Sequence, residues 1–282
     1  MPKSDSLAAR FYELFDPTLL LRIAWKHRAL LRQFVVRNVA SRYRGSFLGL
    51  FWSFVQPLLM LCVYTFVFSI VFHSRWPDVA IDNRGAFAII MFCGMAVYNI
   101  FSESVLLNVG VVVNNANLVK KVIFPLEILP LAQVISSTIL ALQWFVLLFI
   151  GVFIVRFSPS FTMLLLPLVL IPLGCLSLGV SYFVASIGVY VRDTQYVVGV
   201  ILQIMFFMTP IFYPVNALPE KYRWPLKINP LGYLIEDCRR IFLFGQLPDW
   251  KRLGLVFLVS LIVLQLGFFW FRKTKKGFAD VI

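Results

Sequence analysis

Six runs of apolar residues alternate with polar segments along the chain, at about 47–72, 86–112, 126–155, 162–189, 196–213 and 253–271. Each approaches or exceeds the roughly 20 helical residues needed to cross about 30 Å of hydrocarbon. The pattern predicts an all-α, polytopic membrane protein with six transmembrane helices. An even number of spans puts both ends on one side, and the basic residues say which. Lys3, Arg10, Arg22, Lys26, Arg28, Arg32, Arg37, Arg42 and Arg44 precede the first span, and Arg272, Lys273, Lys275 and Lys276 follow the last. Cations flanking spans stay in the cytoplasm, so both termini are expected there. Lys221, Arg223, Lys227, Arg239 and Arg240 fall on the opposite side, in a long segment where the charge rule is weakest.

The segments between and before the spans carry patterns of their own. Residues 1–46 form an N-terminal unit with no apolar signal core, which leaves the first span as the targeting signal. On helical geometry Ile23, Leu30, Leu31 and Phe34 share one side, and Arg22, Lys26, Gln33 and Arg37 another. Trp25 and Val36 break the pattern, so an interfacial helix in the head-group layer and a plain solvated helix both fit it. The six-span domain is expected over 47–272, with a cytoplasmic loop at 113–125, an outer-face segment at 214–252 and a tail at 273–282. Pro214, Pro219, Pro225 and Pro230 cut the outer segment into pieces, yet Leu231–Phe244 keeps apolar residues at helical spacing. One or two short helices are expected there, dipping toward the bundle.

Composition narrows the class without changing it. Of 282 residues 60% are hydrophobic and 14% charged, more apolar side chain than a soluble domain of this size can bury. The net charge of +13 sits mostly beside the spans, where it sets topology and meets anionic head groups rather than nucleic acid. Cys62, Cys93, Cys175 and Cys238 form no CxxC pair, so neither a disulfide framework nor a zinc site is indicated.

Three stretches are more specific than hydropathy. The first is Arg42-Tyr43-Arg44-Gly45-Ser46-Phe47-Leu48-Gly49, running into Trp52 and Gln56-Pro57. The second is Asn114-Asn115-Ala116-Asn117-Leu118-Val119-Lys120-Lys121-Val122-Ile123-Phe124-Pro125. The third is Asn229-Pro230-Leu231, followed by Arg239. Together, in order and in spacing to the spans, they resemble the permease subunits of ABC-2 type polysaccharide exporters, which move O-antigen, capsule or teichoic-acid chains. The resemblance implies a homodimer in the bacterial inner membrane, a translocation channel for an undecaprenyl-linked polysaccharide, and two copies of a separate ATPase that holds the ATP and Mg. This chain would carry no cofactor and catalyse no reaction. It contains no GxxxxGK[ST] stretch, the cradle that holds ATP phosphates.

The resemblance also implies roles for particular residues, each with a plainer alternative. The loop holding Asn114, Asn117, Leu118, Lys120, Lys121 and Val122 resembles a coupling helix that seats in the ATPase; the alternative is a topogenic lysine pair. Asn114, Asn115 and Asn117 are expected to cap its short helix. Arg192-Asp193 is a second cytoplasmic turn, with Asp193 either an N-cap for span five or a further ATPase contact. Phe47, Phe51, Phe54, Phe68 and Phe72 fall on one stripe of span one with Tyr64 at its edge, and Phe206, Phe207, Phe212 and Tyr213 lie on span five. Aromatic faces bind sugar rings without selecting one sugar, which suits a glycan channel; packing and lipid contact explain the same residues. Glu103 is the lone acid well inside a span, so it is expected to be protonated, paired or near water. Two other readings stand: an ABC-2 permease for a smaller lipid or drug, and a membrane-embedded glycan-modifying enzyme built around Glu236 and Asp237. Adjacent carboxylates point about 100° apart on a helix, which argues against the second.

Overall fold

The computed structural model of the protein describes residues 18–42, 44, 49–72, 76, 84–120, 124–155 and 160–282. Among them every regular element is helical. In chain order the helices are α1 (Leu19–Lys26), α2 (Arg28–Ser41), α3 (Trp52–Tyr64), α4 (Arg84–Val109), α5 (Ala116–Val119), α6 (Ile128–Ile154), α7 (Leu166–Tyr190), α8 (Thr194–Met208), α9 (Trp224–Ile228), α10 (Pro230–Phe242), α11 (Trp250–Thr274) and α12 (Phe278–Val281). A π-type turn, Thr65–Val71, extends α3. Among the described residues five stretches are long and apolar enough to cross a membrane: Trp52–Val71, Gly85–Val109, Ile128–Ile154, Phe161–Tyr190 and Trp250–Val281.

The fifth apolar run is the exception, because its helix stops early. α8 has 15 residues and is about 22 Å long, short of a full crossing. Pro210 ends it: the ring of a proline pushes the preceding residue out of helical geometry, and Thr209 is extended (φ −96°, ψ 142°). Thr209 Oγ1 donates back to the Met205 carbonyl at 2.7 Å. The expected span of 196–213 is therefore corrected at its far end. The chain then makes short turns before α9 and α10.

α4 is the axis of the bundle, with 83% of its most apolar stretch buried against 11% for Trp52–Val71. It packs on α6, α7 and α10. α7 and α11 cross where both lack side chains: a Cβ at Gly267 would lie 2.0 Å from the Gly179 carbonyl oxygen. Lipid tails are as apolar as the side chains, so close backbone approach of this kind is what draws such helices together.

A second cluster closes the end of the bundle near α5. Leu20, Phe34 and Val35 of α1 and α2 are buried there with Leu126, Leu129, Tyr182, Phe271 and Phe278. The apolar side expected for the N-terminal helices thus packs chiefly on α6, while Leu21, Trp25 and Val36 face outward. The 273–282 segment is docked as well. Lys275 pairs with buried Glu127, the Tyr182 hydroxyl donates to the Glu127 carbonyl at 2.8 Å, and the Tyr190 hydroxyl to Thr274 at 2.9 Å.

Candidate functional site

Four helices and the end of α2 enclose a cleft midway along the bundle. Its larger cavity, about 370 Å³, is lined by Arg42, Ser53, Gln56, Pro57, Tyr98, Asn99, Ser102, Glu103, Gln143, Trp144, Gln203 and Phe206 among others. A smaller one of about 180 Å³ shares Gln56, Tyr98, Asn99, Ser102, Trp144 and Phe206, and reaches Met60 and Tyr64. The spacing explains the convergence. Ser53, Gln56, Met60 and Tyr64 follow one face of α3, Asn99, Ser102 and Glu103 one face of α4, and Gly199, Gln203 and Phe206 one face of α8. Amides, hydroxyls and aromatic rings inside an apolar bundle form a site for a polar ligand with apolar faces.

Glu103 is paired, as one of its expected alternatives required. Its Oε1 lies 3.1 Å from the Arg42 guanidinium and its Oε2 accepts from Asn99 Nδ2 at 3.5 Å. The ion pair joins the end of α2 to α4 across the cleft. The Tyr98 hydroxyl donates to the Leu202 carbonyl and so braces α4 to α8.

The two aromatic stripes meet above the cleft. Phe68 stacks on Phe212 at 4.6 Å, and Tyr64 lies 5.3 Å from Phe212 and 6.0 Å from Phe206. Phe72 touches Phe68, and Phe207 touches both Phe206 and Phe212. Tyr98 joins through Phe206 at 5.1 Å. Of the expected channel residues, Tyr64 and Phe206 line cavities. Phe212 is buried, Phe51 is exposed and Phe54 half-buried below the cluster, and the Tyr213 hydroxyl donates to the Phe207 carbonyl at 2.9 Å. Phe47 lies outside the described residues.

Two capping expectations are corrected. Asn115 precedes α5 but its side chain does not cap it: Nδ2 donates to the Val111 carbonyl at 2.8 Å and Oδ1 accepts from Arg37 at 3.3 Å. Asp193 precedes α8 without a side-chain cap, its backbone carbonyl accepting from Tyr196 and Val197. Asn114, Asn117, Lys120, Arg192 and Asp193 are exposed, and Leu118 is half-buried against the α5-end cluster. Lys121, Val122 and Ile123 lie outside the described residues, as do Tyr43 and Gly45 of the first motif. Arg44 is exposed, and Gly49 takes a positive φ of 49°.

The third motif is a clasp at the other end. Asn229 Oδ1 accepts the Leu231 N–H at 3.0 Å and caps α10, while Nδ2 donates to Thr209 Oγ1 at 2.9 Å. Pro230 occupies the first turn, where its missing N–H costs nothing. Arg239 is wholly buried and donates to three carbonyls: Ile90 at 3.2 Å, Pro210 at 2.8 Å and Ile211 at 2.9 Å. It reaches them past Gly94, where a Cβ would stand 3.0 Å from Nη2. One side chain therefore ties α10 to α4 and to the broken end of α8. Burial pulls its guanidinium below the usual range, and Glu236 beside it acts in the opposite sense.

Sequence reasoning missed Tyr98, Asn99, Gln143, Trp144 and Gln203. Its one available signal was polar residues recurring at helical spacing inside apolar runs.

A bundle of apolar helices around a polar, aromatic-walled cleft defines a polytopic membrane protein with an internal cavity. Residues 29–243 match the ABC-2 type transporter family, and the chain belongs to that family. It is 30% identical to the O-antigen export system permease protein RfbA of Myxococcus xanthus, over 93% of this chain and 99% of the relative. An RfbA of Klebsiella pneumoniae is 26% identical over 87% and 92% respectively. The polysialic acid transport protein KpsM of Escherichia coli is 23% identical over 86% and 92%.

Proposed function

We propose that this chain is the permease subunit of an ATP-driven exporter that carries a lipid-linked polysaccharide across the bacterial inner membrane. The likeness to O-antigen export permeases along nearly the whole chain carries this reading. The cleft agrees with it, because amides and hydroxyls bind sugar hydroxyls while ring faces take sugar C–H groups. The chain binds and guides; a separate ATPase supplies the work. Two copies of each subunit assemble, with an undecaprenyl-linked glycan as substrate. Both termini face the cytoplasm, and Asn114, Asn117, Leu118, Lys120, Lys121, Val122, Arg192 and Asp193 form the surface that meets the ATPase. The exposed apolar faces of α3 and α8 suit the partner permease, and Phe206 and Tyr64 border the glycan path.

Deleting the gene tests the reading. Surface polysaccharide should vanish, lipid-linked glycan should build up on the inner face, and re-expression of this chain should restore export. Surface polysaccharide at wild-type levels in the deletion strain would refute it.

A further inference from the structure

Ile90, at the Arg239 clasp, and Val109, near α5, stand on one helix about 28 Å apart, so the clasp and α5 occupy opposite ends of the bundle. Beside the clasp is a cavity of about 510 Å³, separate from the central cleft. Trp76, Pro214, Asn216, Tyr233, Glu236 and Arg252 line it. Its volume lies within the roughly 300–1,000 Å³ usual for small-molecule sites.

The charged groups of this wall have partners beside them. Arg239 lies 4.5 Å from the Trp76 ring centroid and 3.7 Å from the Glu236 carboxylate, so one buried cation fixes both an aromatic wall and an acceptor. Arg252 pairs with Asp249 at 3.2 Å and lies 6.0 Å from the Tyr233 ring. Among the described residues each charge facing the cavity thus has a counter-charge on its own helix or at its start. What remains for a ligand is aromatic surface, carboxylate edges that accept and guanidinium edges that donate, with little net charge. An anionic or zwitterionic head group would have to compete with Asp249 for Arg252. An uncharged, hydroxyl-rich ring need displace nothing: its hydroxyls meet Glu236, Arg252 and Asn216, and its C–H face meets an aromatic ring.

We propose that this cavity is a saccharide-binding subsite that holds a sugar unit of the exported chain at the end of the bundle remote from α5. The proposal rests on the permease reading and adds to it a second sugar contact, beyond the cleft.

Saturation-transfer NMR on the intact transporter with its ATPase, in nanodiscs, tests it. The probe is the repeat-unit oligosaccharide released from the cell's own surface glycan. Transfer to the sugar ring protons should fall at least twofold in Tyr233→Leu and in Glu236→Gln, while Tyr233→Trp keeps the wild-type signal. ATP turnover and elution volume like the wild type's identify folded variants; Glu236→Gln, which keeps shape and an acceptor oxygen, serves if Tyr233→Leu is not folded. Glycerophosphoethanolamine, the head-group probe, should not compete. Equal transfer in wild type and both variants overturns the subsite, as does absence of transfer or competition by the head-group probe. Transfer lost in Tyr64→Leu but untouched in Tyr233→Leu leaves the central cleft standing and removes this site. Failure of the permease reading shows separately, as export that survives loss of the gene.

Discussion

Arg239→Leu should unfasten the end of the bundle where α8 breaks. The substitution keeps an apolar stem and removes the donors to Ile90, Pro210 and Ile211. The Pro210 and Ile211 carbonyls, left buried without a donor, cost about 1–3 kcal/mol each, whereas that of Ile90 keeps its intrahelical N–H within α4. The variant is relieved of desolvating a guanidinium, which offsets part of that loss. Breaking one side of a buried charged network typically costs about 3–5 kcal/mol net. For a chain of this size that is a fall of roughly 10 °C in the unfolding midpoint. The assay is the fraction of detergent-solubilised protein that stays monodisperse after heating, read beside protease cleavage between Pro214 and Asn229. Cleavage should rise sharply in Arg239→Leu. Arg239→Lys should fall between the two, since an ammonium cannot match a fork that spans three carbonyls. Wild-type heat resistance and protease resistance in Arg239→Leu would refute the clasp.

Gly267→Val should keep the protein from accumulating, because its side chain would enter the Gly179 backbone; membrane-fraction immunoblots at wild-type level would contradict the crossing. Replacing Tyr64 and Phe206 together with Ala should cut export several-fold, each ring contact being worth about 0.5–1.5 kcal/mol. The Leu pair separates sugar contact from bulk, and full export by it would remove the aromatic role. Leu118→Asp should weaken ATPase docking by placing a charge against an apolar contact, at about 2 kcal/mol or more. Unchanged co-purification of the ATPase and unchanged export would leave that loop a topological marker. The permease purified alone in lipid should hydrolyse no ATP above background, and steady turnover by this chain alone would contradict a separate motor.

The spans were legible because hydropathy runs report length and composition directly. Span five was overextended since apolar residues continue through Ile211–Tyr213 while Pro210 has already ended the helix. The cap expected of Asn115 failed for a different reason. Its position before a helix invites a cap, but a side chain in a folded protein can take a better partner, as Asn115 takes Arg37 from 78 residues away. The aromatic stripes were visible one span at a time, and periodicity gives the face of a helix without naming the helix opposite. The Phe68–Phe212 contact was therefore not readable from either stripe, and Phe51 on the same stripe as Phe68 does not join the cluster. The cleft itself was the least legible part. Asn99, Gln143 and Gln203 come from three spans, and each alone is an isolated amide in an apolar run.

The unequal seating of the helices has a mechanical consequence for the cleft. Its α4 and α6 wall belongs to the packed centre, whereas α3 and α8 are held lightly and expose long apolar faces. The cleft is thus built like a vice with one fixed jaw and one sliding jaw. Displacing α3 or α8 would widen it while the Gly179–Gly267 crossing stays intact, and those two helices are tied to the fixed wall and to each other by the Tyr98–Leu202 hydrogen bond and the ring contacts of Phe206 with Tyr98 and Tyr64. On the proposed function, a cleft with one movable wall would suit branched and unbranched chains alike, its width set by whatever presses on the outer faces of those two helices.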